Sequence, residues 1–273
     1  MDILQAVILG IVQGIGEFLP ISSSGHLVIA GELLETATGQ KTDSGAKLLM
    51  NVTLHAGTLL SILIVYQREI FKLRLQPRVC LLLIVASIPA AAAGFALKDF
   101  FERVFETPLV AGVALFGTAG LLVTGQRLEK NVADYEQLTV KQSLLIGLFQ
   151  AFALIPGISR SGSTISGGLI CGMKRDSAAA FSFLMAIPVI GGAALLELKD
   201  VVTGEAAVSQ DFIAAMLAGG VTSFVVGLVA LRWLISLISR GRLHWFAYYC
   251  AAVGTATIVW QLAAAVSTET AAV

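Results

Sequence analysis

Two broken apolar segments constrain this chain more than anything else in it. Around Gly10 the sequence reads GIVQGIGEFLPISSSGH, and around Gly147 it reads GLFQAFALIPGISRSGST. The two align without a gap at an offset of 137 (147 − 10), with Gly10 on Gly147, Gln13 on Gln150, Ser22 on Ser159, Ser24 on Ser161 and Gly25 on Gly162. They place Glu17, His26, Arg160 and a row of hydroxyls in stretches that are otherwise Leu, Ile, Val, Ala and Gly. A charge at the bilayer centre costs about 2.5–3.5 kcal/mol even on a lenient insertion scale, so such residues default to a functional reading.

Composition fixes the surroundings. Hydrophobic residues make up 56% of the chain and charged ones 13%, against about 25% charged in a soluble domain. Zero net charge gives no global attraction to nucleic acid. Cys80, Cys171 and Cys250 lie in apolar runs without metal-ligand spacing, and an odd count argues against a disulfide framework. The first residues lack the basic region of a signal peptide, so the N-terminus is expected to be mature structure.

Eight apolar segments can be drawn, at 3–34, 48–66, 79–97, 107–125, 143–173, 178–198, 211–238 and 244–266. A spanning helix needs about 20 apolar residues, and six of the segments suit one crossing each. The first and fifth are too long and are broken centrally, from Pro20 to Gly25 and from Pro156 to Gly162. Proline removes a helical N–H and glycine admits non-helical backbone. At membrane depth such backbone survives only within protein or along a wet cavity. Both segments are therefore expected to be re-entrant helix–loop–helix hairpins.

The expected fold is an all-α integral membrane protein. Each half, residues 1–125 and 138–273, holds one hairpin and three crossings. Three is odd, so the second half starts from the opposite side, an inverted-topology repeat. The loop at 67–78, with Arg68, Lys72, Arg74 and Arg78 against Glu69, is cytoplasmic by the positive-inside rule. Counting outward, 126–142, Lys174–Arg175 and 239–243 also fall inside, and 199–210 falls outside. Residues 35–47 read as a short external loop. His55 reads as a helix-packing polar group, and His244 as an interfacial residue beside Trp245 and Tyr248.

At the first tip Gln13 and Glu17 are i, i+4 on one helix face, and Ser22, Ser23, Ser24 and His26 follow Pro20. At the second, Arg160 sits among Ser159, Ser161, Ser163 and Thr164. Guanidinium binds phosphate oxygens bidentately. One tip offers a carboxylate, a hydroxyl and a histidine, and the other a fixed cation with many donors, which together suit phosphoryl transfer. A structural Glu–Arg salt bridge and a satisfied core histidine are the plain alternatives.

QGIGEFLPISSSGH resembles the (E/Q)xxxEFLPxSSxGH motif of the undecaprenyl-diphosphate phosphatases, the bacitracin-resistance proteins of bacteria, and PGISRSGSTISGG resembles that family's PGxSRSxxT motif. The resemblance covers essentially the whole chain. It implies hydrolysis of undecaprenyl diphosphate to the monophosphate carrier in the bacterial inner membrane, in support of cell-wall synthesis and bacitracin resistance. It further implies dependence on a divalent cation, Mg²⁺ or Ca²⁺, and many relatives carry Glu where this chain has Gln13.

On this reading the catalytic residues are Glu17, Ser23, His26 and Arg160. Arg160 clamps the diphosphate with Ser159, Ser161 and Thr164, while Gln13, Ser22 and Ser24 complete the binding set. Ser23 is the candidate nucleophile and His26 its base or orienting group. Glu17 serves as general base, positions His26 or holds the cation, and direct attack by water stays open. The expected partners are a polyprenyl diphosphate lipid, the bilayer and a second copy of the chain as a homodimer. The rival reading is a transporter or lipid flippase on the same repeat.

Overall fold

In this computed structural model, residues 1–39, 41–97, 107–203 and 210–271 are described, without the side chains of 197–203 and 267–271. The chain is an all-helical integral membrane protein. Its α-helices are α1 (Ile3–Gly16), α2 (Ser23–Thr38), α3 (Ser44–Val65), α4 (Gln67–Leu73), α5 (Pro77–Ala96), α6 (Pro108–Arg127), α7 (Val140–Phe152), α8 (Arg160–Ile170), α9 (Arg175–Thr203), α10 (Gln210–Ser239) and α11 (His244–Ala271). Six of them, α3, α5, α6, α9, α10 and α11, are long and apolar enough to cross a membrane. The pairs α1–α2 and α7–α8 fall where the two broken segments were expected. Two boundaries differ from expectation. Residues 67–73 form the short helix α4 rather than plain loop, and α2 and α3 narrow the 35–47 loop to a few residues around Gly39. The expected outer loop at 199–210 is helical up to Thr203, and 204–209 lie outside the described residues.

The offset between the two motifs extends to the helix boundaries. Ile3 and Val140 open α1 and α7 behind matching capping boxes, Asp2 with Gln5 and Thr139 with Gln142. In each, the N-cap side chain accepts an amide N–H and the glutamine reaches back, satisfying two orphan donors. Ser23 and Arg160 open α2 and α8 behind Ser22 and Ser159, whose hydroxyls accept the N–H of Gly25 and Gly162.

Packing is exchanged between the halves. α1 lies along α10 and α7 lies along α5, in both cases with the two helices pointing the same way. A Cβ on Gly10 would stand 2.6 Å from the carbonyl oxygen of Gly219 and 2.9 Å from Cβ of Thr222, and Gly147 presses equally closely on the backbone of Ala86. Without a hydrophobic drive between helices in lipid, such backbone approach is what holds them. Gly10→Ala is therefore expected to destabilise by about 1–3 kcal/mol through overpacking, whereas Gly31→Ala, which meets open space, stays neutral or gains from helix propensity. Thermal unfolding in detergent distinguishes them.

The basic loops gather at one end of the bundle. Arg78 donates to the carbonyls of Glu136 and Leu138, Lys174 pairs with Asp134 at 2.8 Å, Arg175 forks onto Glu129, and Gln126 donates to the carbonyl of Gly241. The hydrogen bond from Lys174 holds the Asp134 carboxyl below the usual carboxylate range. His244 belongs to this end, bound through its amide and ring to Gln126 and flanked by Trp245 and Tyr248.

Candidate active site

The two hairpin tips touch through reciprocal positions. A Cβ on Gly25 would stand 2.9 Å from the backbone of Gly157, and one on Gly162 would stand 3.3 Å from Cβ of Pro20; Pro20 and Gly157 are themselves matched by the repeat offset. Gly157 has φ +99, a conformation open to glycine. Its N–H donates to Ser22 Oγ at 3.0 Å, and its carbonyl accepts from Thr118, whose hydroxyl in turn accepts the Ser159 N–H. A disulfide needs Cβ atoms about 3.5–4.5 Å apart. Cysteines at Pro20 and Gly162 should accordingly join under mild oxidation in membranes, read as a mobility shift reversed by reductant. Failure of the pair to join, even through a short bifunctional linker, would place the tips apart.

At this contact Glu17, just beyond the end of α1, is the hub. Its side chain is 6% exposed. Oε1 receives Arg160 Nη2 at 2.6 Å from the opposite tip, while Oε2 receives Ser23 Oγ at 2.8 Å and Gln13 Nε2 at 3.1 Å. Arg160 also donates to the carbonyl of Ser182 and lies over the Phe183 ring. Ser23 is half-buried. Phe18, Tyr66 and Phe183 form the apolar floor. The structure thus brings together Gln13, Glu17, Ser23 and Arg160.

Other candidates stand differently. His26 does not face Ser23. Its Nδ1 is 2.8 Å from the Ser22 carbonyl, and its Nε2 is 3.0 Å from the Tyr249 hydroxyl, against which the ring stacks. A ring nitrogen facing a carbonyl carries the proton, so Nδ1 donates and Nε2 accepts from Tyr249. Ser22 has φ 72, a strained conformation for a residue with a Cβ. Its carbonyl takes both the amide and the ring N–H of His26. That brace lies at the turn that carries Ser23, so of the two expected roles, base or orienting group, the geometry is that of a group bound to the turn rather than to the serine hydroxyl.

The hydroxyls of Ser159, Ser161 and Thr164 are also turned inward rather than toward Arg160's guanidinium. Ser159 caps α8 and pairs with Ser161, Ser161 reaches the Leu19 carbonyl, and Thr164 bonds Ser182 and the helix backbone. Buried hydroxyls need internal partners, and the helix start supplies them. Ser22 and Ser24 pair at the rim of the first tip.

His55 was missed. It comes from α3 and places Nε2 3.8 Å from Glu17 Oε2. Its i−4 carbonyl bond to Asn51 is a helical commonplace, and only the packing of α3 across the end of α1 brings it to the carboxylate. Gln150, the counterpart of Gln13, is buried with neither amide atom partnered; Leu154 stands where the first half has Glu17, the acceptor of the Gln13 amide N–H.

A divalent cation at Glu17 would have to draw most of its ligands from outside the chain. Oε1 is committed to a guanidinium, and no group of three or more His, Cys, Asp or Glu able to hold a metal occurs among the described residues. Mg²⁺ is commonly held by one or two carboxylates with substrate phosphates and water completing the set, so Glu17 would be this chain's share of such a site.

A polytopic helical membrane protein with a carboxylate, hydroxyl and guanidinium brought together where two helical hairpin tips meet is the class that fold and site define. The profile of the family described as bacitracin resistance protein BacA matches residues 6–256, and the chain belongs to that family. It is 43% identical to an undecaprenyl-diphosphatase of Rhodopirellula baltica over 96% of this chain and 99% of the relative. Similar proteins of the same name occur in Methanosphaera stadtmanae, 38% identical over 95% of this chain and 98% of the relative, and in Carboxydothermus hydrogenoformans, 38% over 96% and 99%.

Proposed function

We propose that this chain is an undecaprenyl-diphosphate phosphatase. It removes the terminal phosphate from undecaprenyl diphosphate, regenerating the monophosphate carrier for cell-wall synthesis in the inner membrane and conferring bacitracin resistance. The observation that carries the reading is the hydrogen bond of Ser23 to a buried carboxylate that is also the partner of Arg160. A phosphoryl group asks for positioning and charge stabilisation more than for covalent help.

Glu17 takes the Ser23 proton as Oγ forms a bond to the terminal phosphorus. The anhydride bond breaks, and undecaprenyl phosphate leaves. As the proton passes to Glu17 the charge that holds Arg160 falls, and the guanidinium's charge is taken up by the phosphoryl oxygens as theirs develops. The first turns of α2 and α8 add amide N–H groups and positive dipole ends. An apolar groove of about 400 Å³ beside the second tip, lined by Leu109, Val110, Val113, Ala114, Ile155 and Ile158, suits a length of isoprenoid tail. Any divalent cation arrives on the diphosphate.

The shared offset, the exchanged packing and the parallel pairing of α1 with α10 and α7 with α5 support an inverted-topology duplication of residues 1–125 and 138–273. Impermeant thiol reagents should then reach cysteines at Asp2 and Thr139 from opposite faces of the membrane. Labelling of both from one face would remove the inverted arrangement and leave the chemistry to be argued without it.

The decisive assay is phosphate release from a polyprenyl diphosphate by purified protein, with Ser23→Ala as comparison. Loss of release in the variant supports serine attack, and full turnover would transfer the attack to water. Hairpins meeting between two halves also suit a carrier, but a carrier does not require a hydroxyl bonded to a carboxylate. Lipid flipping without phosphate release would favour the carrier.

A further inference from the structure

Beside the Gln13 amide that also donates to it, Glu17 Oε2 has two neighbours that bear on proton transfer. Ser23 is one, and His55 is the other, with Nε2 at 3.8 Å. His55 Nδ1 lies 2.8 Å from the carbonyl of Asn51, so Nδ1 carries the ring proton and neutral His55 presents a lone pair on Nε2. A lone pair facing a carboxylate oxygen at this distance is not a hydrogen bond. It is the geometry of two acceptors that can share one water, a question any polar contact beyond about 3.5 Å raises. The His55 side chain is 31% exposed, which leaves its edge uncovered by the rest of the chain, while Glu17 is closed in. The charged groups around Nε2 are Glu17 at the end of α1 and, behind it, Arg160 of α8.

The chemistry proposed above leaves one step without a base. After Ser23 is phosphorylated, Glu17 holds the serine's proton and cannot accept another. Water must still lose a proton as it attacks.

We propose that His55 is the proton acceptor for the water that hydrolyses phosphorylated Ser23, an inference that rests on Ser23 being the nucleophile. The water oxygen forms a bond to phosphorus and its proton passes to His55 Nε2. The phosphorus–Oγ bond breaks, and Oγ recovers its proton from Glu17. His55 gives its proton to the departing phosphate or to the water that replaces it, and inorganic phosphate leaves. Two bases thus divide the cycle: Glu17 for phosphorylation, His55 for hydrolysis.

The test uses full-length protein in detergent with polyprenyl diphosphate labelled in its terminal phosphate, comparing wild type, His55→Gln and His55→Ala. A positioned general base contributes about 10²- to 10⁴-fold, so kcat should fall by that order, KM should fall with it because the hydrolysis step then limits turnover, and kcat/KM should stay nearly unchanged. Labelled protein should accumulate in an acid-quenched single turnover, with the label on Ser23, and added imidazole should restore turnover to His55→Ala. Glutamine keeps a side-chain donor and most of the volume, so His55→Gln guards against a folding defect. Wild-type turnover in both variants, or a slow His55→Gln enzyme whose Ser23 stays unlabelled while the wild type's becomes labelled, overturns the role of His55. Absence of label on every form, with Ser23→Ala active, overturns the serine nucleophile and the His55 step with it.

Discussion

Arg160→Ala should lose phosphate release by about three to five orders of magnitude, the range over which a transition-state arginine acts in phosphoryl transfer. Arg160→Lys should recover little, since an ammonium lacks the planar fork. A folding objection can be met directly. Removing Arg160 strands a buried carboxylate, and breaking one side of a buried pair costs about 3–5 kcal/mol, so the single variant should melt early. Pairing it with Glu17→Gln removes the stranded charge, and the double variant should regain much of the lost stability while remaining inactive. Near-normal turnover in a well-folded Arg160→Ala protein would end the case for a phosphate clamp.

Glu17→Gln should be impaired by about 10²- to 10⁴-fold, the usual contribution of a positioned base. The amide fills the same space beside Gln13, Ser23 and Arg160 but cannot take the serine's proton. Gln13→Glu is the contrast. It sets a second carboxylate where Gln13 Nε2 now lies 3.1 Å from Glu17 Oε2, and two carboxylates that close share a proton. Turnover should stay near normal with an altered pH profile. Equal, mild losses in both variants would show that neither residue carries proton transfer.

Much of this was legible in the sequence because the bilayer permits so few backbones. Pro20 and Pro156 interrupt over-long apolar runs, so each run was expected to be two helices around a break, and the shared offset matches the tips before any coordinate is known. Side-chain direction was less legible. Ser159, Ser161 and Thr164 look like a ligand-facing row when written as letters. In three dimensions a helix starts at Arg160, and its cap and first turn consume those hydroxyls. His26 sits three positions from Ser23, yet an N-terminal turn of helix sends its ring toward Tyr249, a residue no local pattern marks. His55 shows the opposite failure. Nothing near it in sequence is remarkable in polarity, and its neighbour is supplied by another helix.

Ser23 and Arg160 each occupy the first position of a helix behind a serine cap, in registers that superimpose under the repeat. Hydroxyl and cation are therefore one structural slot filled in two ways. A pair of identical half-chains would present the slot twice with the same residue, giving two hydroxyls without a cation or two cations without a hydroxyl. Joining the halves in one polypeptide lets the two copies diverge, and Glu17 opposite Leu154 fixes which copy becomes which. The asymmetry needed to break a phosphoanhydride arises by specialisation within a nearly symmetric scaffold, and each chain can hold one such centre.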